Sequence, residues 1–405
     1  MGDDSNLSTL PLAMLLRSTE ALTRFSQTLH NKRIKFRPEV LAIERMRDIG
    51  PTQPSAITSL SLHPTLPLLL SSGLSSTLYL HHFNPHPTPP DPPNPVITSL
   101  HLKHTPLTTT SFSPPSSSAE EPQIYLSSRR RYFHIWNLPT GKIRKVTRVY
   151  GQQDSQRTME TLKPSPCGRY VAMLGSSRKG GGVVNVLNAS TLQWFAQARI
   201  ESRKGVADFV WWADGRGICI VGRGGEVSEW IVEQKRIVAR WEDEGAVGTT
   251  TMAIGGDASN STRKGVLPIL GPDRWIAIGS TSGIVNIYER SAWSSSGGVP
   301  PAKPKPTTTL DHLTTPISHL AFSPCGQILA MSSRWKKDAL RLVHLPSCTV
   351  YRNWPTSKTP LGRISAVALG EYSNGEGMGG RDVERTLVLC VGNEAGILRA
   401  WEITG

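Results

Sequence analysis

Four stretches of the chain carry one pattern of apolar and polar positions: LLSSGLSSTLYLHHF (Leu69–Phe83), CIVGRGGEVSEWIVE (Cys219–Glu233), IAIGSTSGIVNIYER (Ile276–Arg290) and LCVGNEAGILRAWEI (Leu389–Ile403). Each runs a small-and-apolar strand through a short turn into an alternating strand that closes on an aromatic or large apolar residue. Alternation with period 2 over such short spans predicts antiparallel strands with one half-buried face. Small residues inside the earlier strand of each pair (Ser71, Gly222, Gly279, Gly392) suit a place where neighbouring sheets approach closely. A further strand precedes each pair, in words such as ITSLSLHPTLP, METLKPSPCG, VADFVWWADG and ISHLAFSPCG.

Seven such units begin near Ile57, Leu107, Met159, Val206, Gly248, Ile317 and Ile364. Spacings of about 40 to 70 residues, with roughly four strands per unit, predict an all-β chain folded as a seven-bladed WD-repeat β-propeller. The Trp-Asp dipeptide is eroded to Trp136-Asn137 and Trp401-Glu402, and the Gly-His signal survives only as Asp311-His312. The turn word SPCG occurs twice, at Ser165–Gly168 and Ser323–Gly326. Proline presets the second turn position and glycine tolerates the strained exit, so the word punctuates a repeat rather than marking a thiol site.

The last unit ends in AWEITG (Ala400–Gly405), after its third strand, which would leave an open edge. EVLAIERMRDIG (Glu39–Gly50), with Val40, Ala42 or Ile43, and Met46 near strand spacing, is expected to dock as the missing outer strand. The chain then divides into an N-terminal extension, 1–38, and the propeller, 39–405. Within the extension Leu15, Leu22, Phe25 and Leu29 share one helical face, so Leu7–His30 is expected to be a short helix that ends in the basic NKRIKFRP. Pro-, Ser- and Gly-rich stretches at Asn84–Pro95, Ser113–Pro122, Ser294–Pro306 and Gly370–Asp382 are expected to be mobile loops.

Composition narrows the function. Forty-five Lys and Arg against 31 Asp and Glu give the 405-residue chain a formal charge of +14, which suits a polyanionic partner. No apolar run approaches the length of a spanning helix, so no membrane partner is expected. Five scattered cysteines, never in CxxC spacing, read as small apolar fillers in a reducing compartment. No P-loop, GxSxG or HExxH occurs. The Gly180-Gly181-Gly182 run reads as a hairpin turn, Glu242-Asp243-Glu244 as a solvated strand end, and His81-His82 and His101 with His104 lack metal partners. Neither an enzyme nor a cofactor is expected.

The basic turns remain. SSRRRYFHIW places Arg129, Arg130 and Arg131 between two strands of the second unit; SSRKGGG places Arg178 and Lys179 in the third; SSRWKKDALRL places Arg334, Lys336 and Lys337 in the sixth. Turns at one position of successive blades emerge on one face of a propeller, where these cations would meet RNA or an acidic protein partner, or serve only as solvated surface charge.

ALRLVHLPSCTVYRNWP (Ala339–Pro355), with GIVNIYE (Gly283–Glu289), WEDEGAVG (Trp241–Gly248), VGNEAGIL (Val391–Leu398), SLHPTLPLLLSSGL (Ser61–Leu74) and LLRSTEALT (Leu15–Thr23), resembles the U3 small nucleolar RNA-associated protein 18 family. The resemblance runs from about Leu15 to the C-terminus. It implies a non-catalytic, nucleolar scaffold of the small-subunit processome, in contact with other propeller subunits, U3 small nucleolar RNA and pre-ribosomal RNA. Family members also recruit the exosome helicase through a Leu-Phe-Val-Arg-Asp-like motif in a long N-terminal extension. Here MRDIG (Met46–Gly50) shares only Arg-Asp, so that role is not carried over. The competing reading is a propeller adaptor for peptide motifs, such as a ubiquitin-ligase substrate receptor.

Overall fold

In a computed structural model the described residues are 35–84, 92–114, 122–149, 158–175, 182–202, 204–245, 247–257, 270–296, 298–373 and 385–404. They form seven four-stranded antiparallel sheets, the blades of a β-propeller. Blade 1 shows the plan: Ile57–Leu62, Leu68–Gly73, Thr77–His82 and Val96–His101, hydrogen-bonded in that order. First strands lie innermost, and those of neighbouring blades meet around the axis. Second strands are the most buried, completely so in Leu68–Gly73, Gly217–Gly222 and Ile328–Ser332, because both their faces lie against other sheets.

Blade 7 closes as the sequence predicts. Ala42–Arg45 pairs with Leu398–Thr404 in the register Ala42↔Thr404 to Arg45↔Trp401, and Met46 N, Ile49 N and Gln53 N continue onto the carbonyls of Ala400, Leu398 and Gly396 at 3.0, 3.2 and 2.8 Å. Of the expected inward set, Met46 is buried and Ile43 packs against the core, but Val40 does not. Leu41, Met46 and Ile49 are buried, whereas Val40 is 62% exposed. A one-residue offset is enough to send an alternating strand's other face inward. The strap also crosses to blade 6: Phe36 N donates to Gln327 Oε1 at 3.1 Å, and Asn353 exchanges hydrogen bonds with both backbone groups of Leu41. Leu7–His30 lies outside the described residues.

A hydroxyl clasp recurs at the start of several inner strands. Thr58, Thr108, Thr250 and Ser365 are the extra residues of β-bulges between first and second strands. Thr58 Oγ1 reaches Ser72 O of its own blade at 3.2 Å and Leu107 O of the next at 2.8 Å. Thr250 does the same with Gly279 O and Ile317 O, at 3.1 and 2.7 Å. Ser365 Oγ, 2.6 Å from Ile57 O, ties the last blade to the first. Gly279 and Gly392 lie where the following blade crosses: a Cβ there would come within 2.8 Å of Ile317 and Ile57 respectively. The expected close approach of sheets is therefore real.

Both SPCG words turn first strands into second strands, in blades 3 and 6. Gly168 N and Gly326 N donate to the carbonyls of Ser165 and Ser323 at 2.9 and 2.8 Å, with φ of +71° and +70° at the glycines. All five cysteines are free thiols; Cys219, Cys348 and Cys390 are buried, but Cys167 and Cys325 are only half-buried. Burial pushes the Cys390 thiol up to about 12.

Two expected loops contain more structure than their composition suggests. Arg290–Ser296 is a 3-10 turn that buries Trp293, Pro304 is buried, and Ala302 O accepts from Glu242 N at 2.8 Å. Gly370 to Ser373 extend the strand Ile364–Ser373. In both places tertiary packing overrides local composition. The described parts of Asn84–Pro95 and Ser113–Pro122 connect strands, and the rest of each lies outside the described residues.

Candidate partner-binding face

The turns between second and third strands leave the ring on the same side as the crossovers between blades, because each outer strand returns to that side before the next blade begins. Two of the three sequence-predicted clusters lie among the described residues, and both occupy these turns. In blade 2, between Gln123–Ser128 and Phe133–Asn137, Arg129, Arg130 and Arg131 are exposed. Arg129 is already engaged: its Nε lies 2.9 Å from Glu160 Oε1 on the crossover to blade 3, and that bond raises the guanidinium pKa. The adjacent Tyr132 ring is covered by Lys145 Nζ at 3.8 Å from its centroid. Arg130 and Arg131 therefore remain as outward cations, without a free aromatic beside them.

In blade 6, between Ile328–Ser332 and Leu340–His344, Arg334, Lys336 and Lys337 are all exposed. Among them stands Trp335, 65% exposed, with the Arg334 guanidinium 6.0 Å from its ring centroid. Nothing in the local sequence marks Trp335, since only packing distinguishes a core tryptophan from an outward one. Arg178 and Lys179 lie outside the described residues. Lys103, Lys204, Arg223, Lys358 and Arg363 are exposed on the same side, in turns or crossovers whose contribution sequence reasoning missed. A charge run marks the strongest clusters, whereas single cations converge only once the ring closes.

In the acidic word WEDEG, Glu242 and Glu244 are exposed as expected, but Asp243 is not. Asp243 is 7% exposed, accepts from Tyr288 Oη at 2.6 Å and from Asn286 Nδ2 at 2.9 Å, and burial raises its carboxyl pKa. It pins the crossover between blades 4 and 5. A second buried charge cluster joins the same blades: Arg290 Nη2 lies 2.6 Å from Glu229 Oε2, which also accepts from Trp212 Nε1 at 3.1 Å, and Arg290 donates to Leu270 O. Burial pushes Glu229 and Asp273 up while the Arg290 charge opposes it. Such a set holds blades in register, since breaking one partner strands a buried charge.

One cleft of about 480 Å³, between blades 2 and 3, is lined by Gln123, Ile135, Asn137, Thr140, Lys142, Arg144, Ala189 and Ser190. A second of about 310 Å³ is lined by Asp243, Glu244 and blade 5 residues including Ser280 and Asn286. Neither lining pairs a nucleophile with a histidine or cysteine base. Among the described residues no group of three His, Cys, Asp or Glu side chains is placed to hold a metal. His81 is buried instead, bonded to Ser71 Oγ at 3.0 Å and held down to about 4 by burial. No helix among the described residues is long and apolar enough to cross a membrane.

Comparison with known proteins adds to this picture. The WD domain, G-beta repeat family matches residues 304–337, which span the outer strand of blade 5 and the beginning of blade 6 through its basic turn. The probable U3 small nucleolar RNA-associated protein 18 of Schizosaccharomyces pombe is 36% identical over 394 residues, covering 96% of this chain and 66% of its own length. The Saccharomyces cerevisiae protein of that name is 36% identical over 94% of this chain and 63% of its own. The Homo sapiens homolog is 26% identical over 84% of this chain and 52% of its own. The chain thus spans less than two thirds of the length of these relatives.

Proposed function

The chain belongs to the U3 small nucleolar RNA-associated protein 18 family, and from that premise we propose that it is a non-catalytic scaffold of the small-subunit processome in the nucleolus. Its relatives are named for association with U3 small nucleolar RNA. For this chain the reading is that the ring holds U3 and pre-ribosomal RNA, along with other propeller subunits, through its basic face. The observation that carries it is the shared side of the turns at Arg130–Arg131 and Arg334–Lys337, with exposed cations of the crossovers around them. A rigid ring fixes several weak contacts relative to one another, so each later contact forms at high effective concentration.

Crosslinking the tagged full chain in cells, purifying at moderate salt, and identifying the RNA and proteins tests this directly. Enrichment of U3 and pre-ribosomal RNA together with other propeller proteins is expected. Recovery of a ubiquitin-ligase subunit with neither RNA would overturn the scaffold in favour of a peptide adaptor.

A further inference from the structure

We propose that the blade 6 turn around Trp335 is a stacking site for one unpaired RNA base, with Lys336 and Lys337 holding the flanking phosphates. This rests on the reading of the same face as the one that meets RNA, and names what one turn does there.

A single exposed apolar side chain is ordinary on a protein surface. This one differs in how it is held. Ser333 N donates to Ala339 O at 3.0 Å across the base of the turn, and Ser333 Oγ accepts from Thr315 Oγ1 at 2.7 Å. Arg334 N donates to Ser318 Oγ at 3.0 Å. At the far side Asp338, at φ +55°, locks the turn onto the following crossover: its N donates to Gly362 O at 2.8 Å, and its Oδ1 accepts from Leu361 N and Gly362 N at 3.1 and 2.7 Å. Both ends of the turn are fixed while its tip, Trp335-Lys336-Lys337, faces solvent. Ordering costs are therefore met on folding rather than on binding.

The chemistry at the tip selects the ligand. Every base offers a π-face, so an outward indole binds unpaired bases with little sequence preference, and neighbouring ammonium groups take the backbone charge. Paired bases are stacked already and present no free face. Both clefts described above lie on other blades, so Trp335 borders neither of them. The equivalent blade 2 aromatic is less available. Tyr132 is half-buried, with Lys145 3.8 Å from its ring centroid and His134 against it, whereas the Arg334 guanidinium stands 6.0 Å from the 65% exposed Trp335.

Fluorescence anisotropy with a labelled 12-nucleotide oligouridine, a duplex RNA and polyglutamate, using the full chain, tests the site. Trp335→Ala is expected to weaken oligouridine binding about tenfold, with duplex and polyglutamate binding, the salt dependence and the melting temperature unchanged. Trp335→Phe should recover most of the loss. Lys336→Gln with Lys337→Gln should instead reduce the slope of log affinity against log salt by about 1.4, from about 0.7 per phosphate on a single strand. Unchanged oligouridine affinity in Trp335→Ala, or an equal loss on polyglutamate, would overturn the stacking site. If Trp335→Ala binds normally while Arg130→Glu with Arg131→Glu weakens binding, the site fails and the RNA-contacting face stands. If the unaltered chain binds neither RNA, both fall.

Discussion

Single residues here often do work that their neighbours in sequence conceal. His63 is buried and its Nδ1 accepts from Leu66 N at 2.9 Å, which requires an unprotonated nitrogen at that position. Burial holds both His63 and His81 down to about 4, from an ordinary value of 6.5. Between those values the unfolded chain binds more protons than the folded one, so stability falls as pH drops from 6.5 towards 4. The loss is about 2 kcal/mol per histidine at pH 5. Urea midpoints should therefore fall between pH 7 and pH 5, and less steeply in His63→Asn, whose amide oxygen can still accept from the turn. Parallel pH dependences in the two proteins would assign the effect elsewhere.

Among the elements, the N-terminal strap does most to complete the fold. Ala42–Arg45 supplies the outer strand of blade 7, while Phe36 and Leu41 enter the apolar cluster with Tyr351, Trp354 and Trp401 between blades 6 and 7. Blade 6 itself has an outer strand of only two residues, Thr349–Val350, so the strap covers what that strand leaves open. Each large apolar side chain withdrawn would forfeit about 1.5–3 kcal/mol and expose the edge of Leu398–Thr404. Deleting residues 36–50 is expected to give an aggregating protein, seen as loss of the monomer peak in size-exclusion chromatography. A monomeric, cooperatively melting deletion would refute the closure.

At the scale of the whole molecule, the ring turns scattered cations into one surface and decides which of them are free. Because Arg129 is paired with Glu160, changing it to Glu would repel its own partner and loosen the turn as well as alter the surface. Arg130→Glu with Arg131→Glu is the cleaner probe, since both side chains are exposed. RNA affinity should fall about uniformly across RNA sequences, with a weaker salt dependence, while the melting temperature stays put. Unchanged affinity and salt slope would remove blade 2 from the contact surface.

Much of this architecture was legible in the chain itself. Strand period, the count of seven blades, the Pro-Gly turns and the need for an N-terminal closing strand are consequences of local pattern and of the rule that sheet edges must be covered. Even the clasp hydroxyls stand in view, as the second letters of ITS, TTT and ISA, though nothing local shows where their bonds go. The status of a charge or an aromatic was not legible, because it depends on residues tens of positions away. Asp243 is buried by Asn286 and Tyr288, Glu229 is met by Arg290, Arg129 is taken by Glu160, and Trp335 is left outside while most other tryptophans pack inward. Alternation fixes which way a side chain points from its own strand; only the closing of the ring fixes what it then meets.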